Sequence, residues 1–122
     1  MTAIPYLTAH DAAAALEFYA AAFGATVGER YDEPDGRIGF ASLTVAGAPV
    51  FVSDEVPELG AVSPRTAGCS TVGVVLQVDD VERVYAAALA AGAMSDRPPS
   101  PGPAGLSAWL VDPFGHRWNL VG

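Results

Sequence analysis

The chain is 122 residues long and 51% hydrophobic, with 6 Lys and Arg against 14 Asp and Glu for a net charge of −8. That length suits one domain burying about two-thirds of its unfolded surface, the apolar content excludes a disordered chain, and no apolar run nears the ~20 residues of a membrane-crossing helix. The acidity argues against nucleic acid or anionic membranes as partners and mildly favours cationic ligands, although its plainest role is solubility.

The chain opens without a basic segment and long apolar run, which speaks against a signal peptide. The single cysteine, Cys69, cannot form an internal disulfide, and the chain reads as cytoplasmic. Residues 4–8 read as a strand, after which Asp11 stands where a helix N-cap would, able to accept from the free amides of the first turn. Residues 12–23 are rich in Ala, Leu and Glu, good helix formers. Leu16, Tyr19, Ala20 and Phe23 form one stripe at i, i+3, i+4, i+7. Gly24 is placed to end the helix in the left-handed conformation. Strands are predicted at 26–31, 37–45 and 49–53, with turns at Pro34-Asp35-Gly36 and Gly47.

A polar connection over 54–70 follows, and the pattern restarts. Residues 71–78 read as a strand, Asp79 and Asp80 cap a helix over 81–91, and Gly92 stops it. Strands are predicted at 93–97, 106–111 and 117–121. Between the first two of these, residues 98–105 hold four prolines and two glycines and are predicted to be a loop. Asp112-Pro113-Phe114-Gly115 suits a type I turn.

Three landmarks repeat at one spacing: Asp11, Gly24 and Gly47 recur 68 residues later as Asp79, Gly92 and Gly115. The segments between match in kind, Leu16 with Val84 and Val50 and Val52 with Trp118 and Leu120. Such a repeat is too long and too few for a solenoid. The fold class predicted is therefore α+β, two βαβββ modules of about 1–58 and 68–122 within a single domain spanning 1–122. Two such halves can close a cleft, the usual seat of a small molecule.

Four segments carry a family resemblance: IPYLTAHDAAAALEFYAAAFGA at 4–25, DGRIGFASLTV at 35–45, VDDVERVYAAALAAGA at 78–93 and DPFGHRWNL at 112–120. Together they resemble the vicinal oxygen chelate superfamily, which includes glyoxalase I, extradiol dioxygenases, fosfomycin-modifying enzymes and bleomycin-binding proteins. The nearest flavour is the glyoxalase/bleomycin resistance-like group with its PhnB-like branch. The resemblance implies paired modules with a cupped mixed sheet and helices outside, and a homodimer.

It also implies a divalent metal held by His and Glu from four strands, an ion that takes three or four converging N or O ligands. Counted from the motifs, those positions fall on Ile4, Phe51, Gly73 and Asn119. Only the Asn119 amide is even a weak donor. A one-residue slip would turn each strand over, yet Ala3, Pro5, Val50, Val52, Val72, Val74, Trp118 and Leu120 ligate no better. No metal and no cofactor is therefore expected. His10 beside the helix cap, His116 in a turn, and Glu55 and Glu58 in the connection read as solvated groups, and Cys69 as an inert thiol. No nucleophile elbow, phosphate loop or CxxC pair is present.

Strand alternation assigns the faces. Leu7, Val50, Val52, Val74, Leu76, Val78, Trp118 and Leu120 share the parity that packs under helices, as do Ala41, Leu43 and Val45. The other parity carries Tyr6, Phe40, Phe51, Ser53, Gln77, Arg117 and Asn119. These, with Trp109, are the candidate ligand-binding residues. The face of Trp109 stays open, because a bulge would reverse it, and a core role fits it equally. Aromatic walls with scattered polar groups suit an organic ligand, aromatic or cationic. Two functions follow as expectations: a metal-free small-molecule-binding protein, or a lyase, isomerase or dioxygenase using unrecognised metal ligands or acid–base groups.

Overall fold

The computed structural model describes residues 1–122, in the order βαβββ twice over with a short helical connection between. In the first half β1 (Tyr6–Ala9) leads to α1 (Ala12–Phe23), then β2 (Thr26–Asp32), β3 (Ile38–Val45) and β4 (Ala48–Asp54). Residues 54–70, read as a polar connection, contain a 3₁₀ turn at Pro57–Leu59 and a one-turn helix, α2 (Pro64–Ala67). The second half runs β5 (Gly73–Gln77), α3 (Val81–Ala90), β6 (Met94–Gly102), β7 (Gly105–Val111) and β8 (Arg117–Val121). No helix is long and apolar enough to cross a membrane.

Each half builds one four-stranded mixed sheet, ordered β1-β4-β3-β2 and β5-β8-β7-β6. The first and last strands of each half pair in parallel, Tyr6 with Phe51 and Val75 with Asn119. Both helix starts are capped as the carboxylates foretold. Asp11 accepts from the Ala14 amide, and Asp80, not Asp79, accepts from that of Arg83. The helix starts thus lie 69 residues apart, one more than the repeat predicts. Strict spacing is not needed, because each cap is set by its own helix and loops absorb the slip.

Two further expectations are corrected. Residues 98–102 continue β6 instead of forming a loop. As an edge strand, β6 leaves one row of backbone groups unpaired, so its prolines cost few ladder bonds. Within α1, Ala20 is exposed, while Ala12, Ala15, Leu16, Phe18, Tyr19 and Ala22 are buried. The buried arc is wider than one stripe and rotated because α1 packs on both a sheet and α3.

The core lies between the helices and the inward faces of both sheets, and it holds Leu7, Leu43, Val52, Leu76, Leu110, Trp118 and Leu120. It is continuous across the two halves. Tyr19 of α1 donates to Asp112 in the β7–β8 turn at 2.5 Å, and Trp118 Nε1 donates to the same carboxylate at 2.9 Å. His116, expected to be a solvated turn residue, instead places Nε2 2.9 Å from the Thr8 carbonyl, where the imidazole N–H bridges the halves.

Candidate functional site

The outward faces of the two sheets carry the candidate residues in two separate groups. On the first sheet Tyr6, Phe40 and Phe51 form an aromatic cluster, with ring centroids 4.8 to 6.2 Å apart and edge-to-face. Such geometry matches the positive edge of one ring to the negative face of the next. The Tyr6 hydroxyl donates to the Gly39 carbonyl at 3.2 Å, which fixes its ring across the sheet.

On the second sheet Trp109 stands opposite Asn119 and adjoins Arg117. The Trp109 face left open by the sequence is thereby settled as the outward one. The Arg117 guanidinium lies 4.5 Å from the Trp109 ring centre, within cation–π range, and bonds Asp96 at 3.2 Å. Asn119 donates to Ser107 Oγ and to the Ala108 carbonyl, so its amide is tied to the neighbouring strand. Gly73 lies beneath the tryptophan: a Cβ there would come within 3.0 Å of the ring. Gln77 is at the end of β5, in a small recess with Val121 and Gly122, apart from both groups.

A cavity of about 600 Å³ opens on the first sheet, lined by Tyr6, Thr8, Ile38 and Ser53 from the strands and capped by Val56 and Leu59. A second of about 440 Å³ lies between β1 and the approach to β5, along Tyr6, Thr8, Cys69, Val72 and His116. Tyr6 borders both. Trp109, Arg117 and Asn119 line neither.

Two polar groups are less free than the sequence suggests. Glu55, expected to be a solvated charge, accepts from the Ser63 amide at 2.7 Å. Hydrogen bonds from Thr66 and then from Ser63 hold its carboxyl below the usual range. His10 Nε2 lies 2.9 Å from an Arg65 guanidinium nitrogen, an always-protonated donor, so that ring nitrogen accepts. Glu58 is exposed, as expected, and Cys69 is exposed and unpaired.

The residues at the positions implied for a metal do not fit one. Ile4, Phe51 and Gly73 offer no side-chain donor atom, the Gly73 position is roofed by Trp109, and Asn119 brings a single neutral amide oxygen where an ion takes three or four ligands. No group of three or more His, Cys, Asp or Glu converges elsewhere. Sequence parity found the aromatic cluster. It missed Glu33, which reaches the cavity from a turn that strand alternation does not describe.

A family model described as Glyoxalase/Bleomycin resistance protein/Dioxygenase superfamily matches residues 3–120. Uncharacterized protein Mb0911c of Mycobacterium bovis is 36% identical over 130 residues, covering 95% of this chain and 79% of its own. TioX from Micromonospora sp. ML1 has a TM-score of 0.73 at 25% identity, covering 98% of this chain and 94% of that one. Protein PA1353 from Pseudomonas aeruginosa has a TM-score of 0.78 at 24% identity, covering 98% and 96%.

Proposed function

This chain belongs to the Glyoxalase/Bleomycin resistance protein/Dioxygenase superfamily, and on that premise we propose that it is a metal-free protein that binds a small organic molecule. The observation that carries the reading is the pairing of two facts on the sheet faces. Three of the four positions implied for a metal carry no donor atom, and Tyr6, packed edge-to-face with Phe40 and Phe51, lines a cavity of about 600 Å³. Apolar burial at about 25 cal/mol per Å² supplies affinity to such a ligand, and a few polar groups orient it. Arg117 and Trp109 offer a second planar shelf on the other sheet.

The same reading makes the protein cytoplasmic, a single domain and a homodimer. A thermal-shift screen of antibiotics and aromatic metabolites is the test, with saturable stabilisation by an organic ligand as the expected result. At a concentration a hundredfold above Kd, a ligand adds about 2.7 kcal/mol to stability. Protein purified without chelator is expected to carry no stoichiometric zinc, nickel, manganese or iron. Finding one of them bound would overturn the metal-free reading in favour of an enzyme with unrecognised ligands.

A further inference from the structure

The floor of the 600 Å³ cavity holds a hydroxyl pair the protein itself does not use. Thr8 of β1 and Ser53 of β4 are direct partners across the parallel ladder, and both line the cavity. Ser53 is only 5% exposed. Its hydroxyl makes no hydrogen bond to another group of the chain, yet no enclosed side-chain oxygen is left unsatisfied. What remains open of Ser53 therefore faces the cavity. A hydroxyl open to the cavity with no partner in the chain keeps both lone pairs free for a donor that enters there.

The charges around that floor select the sign of the occupant. Glu33, Asp54 and Glu55 line the cavity against one cation, Arg37. The arginine is engaged elsewhere, with Asp35 at 2.8 Å and the Glu55 carbonyl at 3.1 Å. Asp54 spends one oxygen on the Ala12 amide and the other on that of Ile38, and Glu55 holds Ser63. Glu33 takes no such bond. Its carboxylate lies across Gly39, where any Cβ would displace it. Anchored carboxylates still contribute negative potential, but they cannot swing together around a metal ion, which demands three or more converging ligands.

We propose that this cavity binds a small organic ammonium, its N–H groups received by the Ser53 and Thr8 hydroxyls and the Glu33 carboxylate, its apolar body lying against Tyr6 and Leu59. The inference rests on the small-molecule-binding reading and adds to it the ligand's charge and its seat. An ammonium has only donors, and hydroxyl and carboxylate oxygens are the acceptors that match it. The Tyr6 ring adds a π face to the same wall.

A matched set of probes tests this: 2-phenylethylamine, 2-phenylethanol and phenylacetate, titrated at neutral pH and followed by amide shifts in NMR. The amine is expected to bind tightest, to shift Thr8, Gly39, Ser53 and Leu59, and to weaken as salt rises. Ser53→Ala is expected to weaken the amine about tenfold, as for a hydrogen bond to a charged group. Glu33→Gln is expected to weaken it about threefold, since that carboxylate is exposed, and to leave 2-phenylethanol unchanged. Equal or tighter binding of phenylacetate, or amine shifts confined to other residues, overturns the charge and seat while small-molecule binding stands. No shift with any of the three also overturns the inference, whereas the broader reading falls only if the ligand screen finds no stabilising molecule.

Discussion

Asp112 gathers four donors onto one carboxylate: the Tyr19 hydroxyl, the Trp118 indole and the amides of Phe114 and His116. It is 3% exposed, so each donor would be stranded without it. Asp112→Ala is expected to cost about 3 kcal/mol or more, because it leaves buried polar groups unpaired, and Tyr19→Phe about 1 kcal/mol; urea denaturation measures both. The same network sets an alkaline limit. Burial first, then the Asp112 charge and the hydrogen bond to it, push the Tyr19 phenol well above its usual range. The folded state then keeps its proton after the unfolded chain has lost it. Tyr19 therefore contributes fully below about pH 10, and stability falls above that by about 1.4 kcal/mol per pH unit until the folded phenol ionises. Denaturation curves across pH 9 to 11 check this, and Tyr19→Phe is expected to flatten the decline. The sequence revealed Asp112 as a turn former, since Asp-Pro-Phe-Gly is a local cue. Its partnership with Tyr19 spans 93 positions and leaves no local trace. Gly73 is the converse case, found by counting from a motif but explained only by the Trp109 ring above it.

Helices announced themselves at the level of elements, and one strand did not. Asp11 with Gly24 bracketed α1 correctly because capping is local chemistry, and the left-handed Gly24 returns its amide to Ala20 and Tyr19. The prolines of β6 pointed the other way. Pro98 and Pro99 fall between the pairs Arg97–Trp109 and Ser100–Ser107, two residues opposite the single Ala108. A bulge on an edge strand is where a sheet tolerates proline, and it twists the edge away from other chains. Composition alone cannot distinguish such an edge from a loop, because the pairing partner β7 decides it. Replacing both prolines with threonine is expected to preserve the fold and restore two backbone donors to an exposed edge. Light scattering on a concentration series is expected to show the double variant associating beyond the wild type. Unchanged scattering would mean the prolines serve only the local bend.

At the scale of the whole molecule, the two halves share one core and turn their other sheet faces outward. The doubling of βαβββ was legible because caps, glycines and turns repeat in the sequence. How the halves seat on each other was not, since the Tyr19–Asp112 and His116–Thr8 bonds link residues far apart in the chain. The resulting arrangement buries one face of each sheet and leaves Tyr6, Tyr31, Val75 and Met94 exposed on β1, β2, β5 and β6. Association of two chains through these faces would take such apolar groups out of water. A stable dimer needs about 800 Å² per partner, a modest share of the 6836 Å² this chain exposes. The homodimer proposed here is therefore expected to show, by size-exclusion chromatography with light scattering, twice the 12.5 kDa chain mass. Val75→Asp puts a charge on that surface and is expected to shift the population to monomer without unfolding it, because Val75 is 60% exposed in the single chain. A wild-type mass of one chain at every concentration would remove the dimer. The cavity at Ser53 and Thr8, lined wholly by one chain, would then be a site complete in the monomer.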